Sequence, residues 1–404
     1  MVQCAQMTKS VWKQKNFMLL WSGQLVSWMG TEVSGIALPL VVLALTGSPA
    51  RAGMVAAIRG LTYVVWSLPA GALVDRWDRR LVMVVSNAGS GVAMGSIALL
   101  LKFHHLSLLE LYVLCAVEGS FFVLANLSRF AALPKVVSKE QFPTASAQMG
   151  TGNQAAILVG PALGGFLFQA IGSFATFLAD SVSYFVNAIS IFFITVPLKT
   201  ETVSERRAMH IEVKEAFDWY KKQPVIRFLN LMTAGRIGVE AALYLLIVVL
   251  AKHHHASSLA IGLIFAIAAV GGMLGSFLAP KIHSNYKLKQ SLLGVSIVST
   301  IAFCLYGFAN SVAVIAVVTA LYYAVDPLFH VTTSSYSAEV IPDGIRGRVV
   351  SLTRLQVLAA NSLGFFLVGQ ALEYLSTTTT TYLLAAFLFL LSVAIAANSH
   401  LSHV

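Results

Sequence analysis

Charge is what this chain has least of. Asp, Glu, Lys and Arg make up 11% of its 404 residues, where an ordinary soluble domain carries about 25%. That shortfall excludes a globule surrounded by water. Cysteine is scarce as well. Cys4, Cys115 and Cys304 fall in three separate segments, so they suggest neither a disulfide framework nor a metal-ligand spacing, and no metal is expected. The chain has no Walker motif, nucleophile elbow or phosphate loop. ATP is therefore not expected to drive it, no enzymatic reaction is implied, and no cofactor is called for. The first apolar run is too long for a cleavable leader and lacks the small-residue cleavage site.

What fills the chain instead is apolar: 57% of the residues are hydrophobic and the mean hydropathy is +0.78. Runs of ~20 apolar residues, each able to span a bilayer, recur along the whole length. About twelve are legible, near residues 17–45, 53–75, 80–101, 107–129, 141–170, 174–196, 225–250, 258–281, 290–309, 312–337, 349–372 and 380–398. The chain thus reads as an all-α membrane protein with twelve transmembrane helices, and its first partner is the lipid bilayer. A net charge of +10 would fit a nucleic-acid binder, but its placement argues otherwise. With the N-terminus in the cytoplasm, 22 of the 27 Lys and Arg residues fall on that side. Arg51, Lys102 and Lys252 fall outside, and Arg59 and Arg236 lie within spans. This asymmetry sets both termini in the cytoplasm. The charge is topology, and no nucleic acid is expected.

Between the second and third runs stands Gly71 to Arg80, GALVDRWDRR. Here Gly71 would permit close helix approach. Asp75 would sit near a neighbouring helix N-terminus, where negative charge is favoured. Arg76, Arg79 and Arg80 would hold the loop on the cytoplasmic side. The decapeptide resembles the signature loop between helices 2 and 3 of the major facilitator superfamily, G-x-L-x-D-R-x-x-R-R. Gly71, Leu73, Asp75, Arg76, Arg79 and Arg80 match, while Asp78 stands where many members have Gly. An acid there is common in the branch that includes enterobactin and macrolide exporters. In the family this loop latches the outward-open state. A basic turn that merely obeys charge topology is the plainer reading, and the spacing favours the family one.

Span 5 carries Gly152 and then Gly160-Pro161-Ala162-Leu163-Gly164-Gly165. Small residues every fourth position make a smooth face for close packing, and Pro161 removes a backbone hydrogen bond and bends the helix. The stretch resembles the G-x-x-x-G-x-x-x-G-P-x-x-G-G motif of drug–proton antiporters in the superfamily, with Ala156 replacing the middle glycine. Three further stretches are similar to the enterobactin-exporter and macrolide-efflux branch. They are Gly30 to Pro49, with the usual acid at Glu32; Arg129 to Pro134, followed by Val136, Val137 and Glu140; and Pro342 to Arg348. The resemblance covers essentially the full chain. It implies a secondary transporter in a bacterial inner membrane, with a cavity that opens alternately to each side.

It also implies two pseudo-symmetric six-helix halves, residues 1–197 and 225–404, joined by a cytoplasmic linker at 198–224. In the linker Val213, Ala216, Phe217 and Tyr220 recur at helical spacing, as in an amphipathic helix lying at the membrane interface. Five carboxylates fall within spans: Glu32, Glu118, Asp180, Glu240 and Asp326. Glu32 and Glu240 are 208 positions apart, and so are Glu118 and Asp326. Gly71 and Gly275 are 204 apart, and the stretch from Gly275 to Lys289 keeps the basic residues of the first loop without its acid. Span 1 then matches span 7 and span 4 matches span 10, which the resemblance places around the cavity.

Glu32 is the leading candidate for moving protons. It lies 15 residues from Phe17, about 22 Å along a helix, where a bare carboxylate is expensive. Arg59 reaches a similar depth on the next span, so a static Glu32–Arg59 ion pair is the competing reading. Glu240 has Arg236 one turn away and reads as a self-neutralised i,i+4 pair. Glu118 and Asp326 have no obvious basic partner near them in sequence, and either suits a proton or a cation. Asp326 precedes Pro327, which interrupts the helix; such breaks often line sites, though a simple kink fits equally well. Asp180 reads as a structural contact, and His330 as a satisfied core histidine. His253, His254 and His255 read as a solvated outer loop. Trp28, Phe121, Phe122, Tyr244, Tyr322, Tyr323 and Phe329 lie near the acids and would suit a bulky amphipathic or cationic ligand, while most are expected to be packing residues.

The expected activity is proton-driven efflux of a small organic compound, such as a drug or siderophore, by a monomeric antiporter of the multidrug-resistance or siderophore-export kind. Uptake of a nutrient and movement of lysophospholipid between leaflets are the nearest alternatives. A transporter-like membrane sensor or assembly protein without flux is the alternative from another class.

Overall fold

The computed structural model describes residues 10–66, 69–199 and 209–403. Among them it holds thirteen α-helices and no β-strand. In chain order these are α1 (Lys15–Thr46), α2 (Pro49–Trp66), α3 (Pro69–Arg76), α4 (Arg79–Lys102), α5 (Leu108–Val136), α6 (Phe142–Phe192) and α7 (Met209–Lys222). There follow α8 (Pro224–His253), α9 (Ser258–Asn285), α10 (Leu288–Leu305), α11 (Val312–Val340), α12 (Asp343–Tyr374) and α13 (Thr377–Ala397).

Ten of these helices are long and apolar enough to cross a membrane. Two further crossings are contained in the set. Helix α6 has 51 residues, about 75 Å at 1.5 Å per residue, which is more than twice the ~30 Å hydrocarbon core. Gly172 divides it, at φ 82° and ψ 176°, a conformation glycine adopts far more readily than other residues. Spans 5 and 6 are therefore the two arms of α6. Span 2 is α2 and α3 together; α2 alone has 18 residues and carries Arg51 and Arg59, which lower its hydropathy. The twelve-span all-α architecture follows.

Helix ends carry their own signals. Ser107 and Glu110 form a capping box at the start of α5, and Ser257, Ser311 and Ser376 cap α9, α11 and α13 through their side chains. Each hydroxyl accepts from a backbone N–H that the first turn leaves without an intrahelical partner.

Contacts divide the chain into two compact units, Met1–Ala37 with Val65–Val203, and Leu38–Val64 with Ser204–Val404. In the first, α4 packs against α5 and α6, over a core that includes Phe17, Leu20, Trp28, Met83, Leu133 and Met149. In the second, α9 packs on α11, α8 on α12, and α10 on α13. The α9–α11 crossing is close enough that a Cβ on Gly271 or Gly275 would run into the backbone carbonyls of Ala320 and Ala324.

The linker contains the helix its periodicity predicts, α7. Tyr220 is buried with Ile226, Ile341 and Val349, and its hydroxyl bonds Gln356 Oε1 at 3.2 Å. Phe217 is exposed, with the Lys221 ammonium 4.4 Å above its ring. The side chains of Val213 and Ala216 lie outside the described residues.

Candidate functional site

Charge collects halfway along two helices of the second unit. Arg236 stands twelve residues into α8, and Asp326 is fourteen residues from either end of α11. Their side chains are 2% and 9% exposed and meet at 2.8 Å, Arg236 Nη2 to Asp326 Oδ1. The same nitrogen donates to Ser299 Oγ at 3.2 Å, and the Phe329 ring lies 4.6 Å from the guanidinium carbon. Burying one such charge unpaired would cost several kcal/mol. The ion pair and the aromatic face are what make Arg236 tolerable there.

Two more ionisable groups join the pair. His330 lies one turn beyond Asp326 and places Nε2 3.3 Å from Asp326 Oδ2. Glu240, Asp326 and His330 each offer one ligating atom, and these atoms lie within 4.8 Å of one another. A nitrogen and two carboxylate oxygens are a donor set a divalent metal accepts. The Arg236 guanidinium already occupies one of those carboxylates, however. With neutral His330 the four groups carry a net charge of −1, which a single proton balances and a divalent ion overshoots. The Tyr322 hydroxyl, one turn before Asp326, is buried and makes no hydrogen bond among the described residues.

The expected self-neutralised pair of Arg236 with Glu240 is thus corrected. Arg236 bonds Asp326, which comes across from α11, and Glu240 makes no ion pair among the described residues. Asp326, expected to lack a basic partner, has two. His330, read as a satisfied core histidine, does have a partner in Asp326, but its side chain is 37% exposed and is not core.

The first unit holds a second set of polar groups. Glu118 is fully buried on α5 and accepts a hydrogen bond from the Tyr184 hydroxyl at 2.7 Å. Tyr184 in turn lies 3.2 Å from Thr31 Oγ1, beside Glu32 in sequence. Asn187 donates to Asn87 Oδ1 at 2.9 Å. Trp28 is buried under the Arg129 guanidinium, 5.0 Å from its ring. Asp180 is also buried, and its backbone carbonyl accepts from Ser183 Oγ at 2.7 Å.

Glu32 is half-buried on α1, where the glycine face of α6 crosses. A Cβ on Gly160 would overlap the Glu32 side chain, and one on Gly164 would stand 2.8 Å from the Val33 carbonyl oxygen. Gly152 lies under Trp21 and Trp28. Pro161 and Gly165 are buried on the same helix. The span 5 motif is therefore the surface that lets α1 carry its acid close to α6. Arg59 belongs to the second unit, where Gly60 beside it packs against Ser362.

The charged loop acts through its arginines. Arg79 Nη1 donates to the Ala131 carbonyl at 3.0 Å, and Arg80 Nη2 to the Val196 carbonyl at 2.9 Å. The loop is thereby tied to the C-terminal part of α5 and to the chain leaving α6, while Arg76 is exposed. Asp78 is the N-cap of α4, accepting from Arg80 N at 2.9 Å. Gly71 shows no close helix approach among the described residues: no described atom lies within 4 Å of where its Cβ would be. Gly275, its counterpart by position, does serve close approach, to α11. The Asp75 side chain lies outside the described residues.

The sequence model of the Major Facilitator Superfamily matches residues 20–353 and 229–399. The chain belongs to the major facilitator superfamily. As such it is a multi-pass membrane transporter of small molecules, not an enzyme. Among curated relatives, this facilitator is 25% identical over 373 residues to the multidrug efflux pump Tap of Mycobacterium tuberculosis, covering 87% of this chain and 86% of Tap. It is 21% identical over 353 residues to the enterobactin exporter EntS of Citrobacter koseri, covering 87% and 84%. Its fold matches the crystal structure of the nucleoside transporter NupG with a TM-score of 0.73 at 13% identity, over 95% of this chain and 98% of that one.

Several contacts of this facilitator escape sequence reasoning. The Arg236–Asp326 and Tyr184–Glu118 bonds join residues 90 and 66 positions apart, and no local spacing announces either. The Asp326–His330 pair and the Asp78 cap were signalled, the first by its i,i+4 spacing and the second by an acid just before a helix start.

Proposed function

We propose that this facilitator is a proton-coupled exporter of a small organic compound, working by alternating access between its two six-helix halves in a bacterial inner membrane. The observation that carries the reading is the group of Arg236, Asp326, His330 and Glu240 at mid-helix depth, the first two buried and the others half-buried. Four ionisable side chains there are a large electrostatic expense for a mere scaffold, and intramembrane ionisable residues commonly mark ion or proton pathways. Glu32 is the corresponding acid of the first half, held against the glycine face of α6. The export direction is supported by the efflux and exporter activities of the relatives Tap and EntS and by the span 5 glycine motif. We assign Glu32 and the Glu240–Asp326–His330 group the uptake and release of protons. Glu118, Arg59 and Trp28 are assigned to the surrounding polar shell, and the Gly71–Arg80 loop to conformational latching.

Glu32→Gln tests the assignment. It keeps the side chain's shape against Gly160 and removes its proton. Transport driven by a pH gradient is expected to be lost at unchanged expression. Undiminished transport would remove Glu32 from the coupling mechanism.

A further inference from the structure

A cavity of about 530 Å³ opens in the second unit, lined by α8, α11 and α12. It lies toward the end where the chain turns from α11 into α12, the end that charge topology assigns to the cytoplasm. Its lining contains no carboxylate and contains two arginines, Arg346 and Arg354. Arg346 is already committed. It pairs with Asp343 at 2.7 Å and donates to the carbonyls of Ala338 and Ile341 at 2.8 and 3.1 Å. Arg354 makes no ion pair among the described residues, so the cavity keeps one uncompensated positive charge.

The polar atoms around that charge restrict the ligand further. Asn230 lines the cavity, and its amide Nδ2 is buried without an acceptor among the described residues. The cavity thus holds an unused donor on α8 and a cation without an ion pair on α12. The hydroxyls differ: Thr233, Thr333 and Ser337 give their protons to the carbonyls of Leu229, Phe329 and Thr333. Having donated inward, each presents oxygen lone pairs, which accept. At the inner end His330 bonds Asp326 through Nε2 and also lines the cavity. Ser334 and Thr353 add two more hydroxyls, and the rest of the wall is aliphatic, with Val331, Val350 and Val357 among it.

We propose that this cavity binds a small amphipathic organic anion bearing hydroxyl groups. Its acid group would lie against Arg354 and Asn230, its hydroxyls would donate to the threonine and serine oxygens, and its apolar body would lie on the valines. The inference rests on the transporter reading, in that this ligand is the compound carried, and it names that compound's chemical class.

Binding to the purified full chain tests it with a probe pair of opposite charge and shared phenol, 4-hydroxyphenylacetate and tyramine, titrated calorimetrically. The acid is expected to bind about tenfold tighter than the amine or better, roughly 1.4 kcal/mol. Arg354→Gln, at an exposed position, is expected to abolish that preference, and Arg354→Lys to retain much of it. Equal or tighter binding of tyramine, no binding of the acid, or an acid affinity untouched by Arg354→Gln would overturn the proposal. The same probes in a flux assay keep the two readings apart. Binding of the acid without any flux preserves the cavity assignment and removes the export reading. Export of cations with no binding of the acid does the reverse.

Discussion

Arg236 and Asp326 form a 2.8 Å ion pair between the midpoints of α8 and α11, 90 positions apart in the chain. The pair is the electrostatic centre of the second unit. Of its neighbours, Glu240 makes no ion pair among the described residues, while His330 bonds Asp326 through Nε2 at 3.3 Å. Under the proposed coupling, the Glu240–Asp326–His330 group beside Arg236 takes up and releases the protons.

Removing one partner of the pair strands the other charge. Arg236→Gln or Asp326→Asn is expected to destabilise the protein by about 3–5 kcal/mol, seen as a lower unfolding temperature in detergent. The double variant Arg236→Met with Asp326→Leu should recover much of that loss, because both desolvation costs disappear together. A double variant as unstable as the sum of the singles would mean that the two residues do not act as a pair.

The glycines of α6 and of the loop should behave differently. Gly164→Ala places a methyl against the backbone of Val33 and is expected to cost about 1–3 kcal/mol. Gly71→Ala, with no described atom within 4 Å of its Cβ position, is expected to cost under about 1 kcal/mol and to leave the yield of folded protein unchanged. Thermal unfolding of the two variants side by side separates a packing glycine from a permissive one.

Asp78 is expected to matter as a cap before it matters as a charge. Asp78→Ala should lose about 1 kcal/mol by exposing the first turn of α4, while Asp78→Ser, which can still accept from Arg80 N, should lose little. Equal losses in both variants, measured by thermal unfolding, would point instead to the negative charge.

The fold was legible because lipid imposes it. Runs such as 80–101 and 225–250 have length, hydropathy and charged flanks together, and they return as α4 and α8. The runs 141–170 and 174–196 part at the place where Gly172 divides α6, though the backbone angle that makes the division is not encoded in composition. The glycine face of span 5 was legible as a packing surface, but that it packs on Glu32 was not, since the two lie 128 positions apart. The acids were legible one by one because each is costly inside a span. Their partners were not: Asp326 reads as having no basic partner nearby, although His330 stands one helix turn away. Reading Arg236 with Glu240 failed for the same reason: local spacing proposes the nearer carboxylate, and tertiary packing supplied the other.

The central claim is that protons and substrate cross in exchange. It is tested most directly by proton flux in everted membrane vesicles carrying the wild type, energised to an acidic interior and challenged with a panel of drugs, dyes and siderophores. Substrate-triggered proton release, absent from vesicles without the protein, is the predicted result. Substrate movement into the vesicles with no accompanying proton release would contradict it.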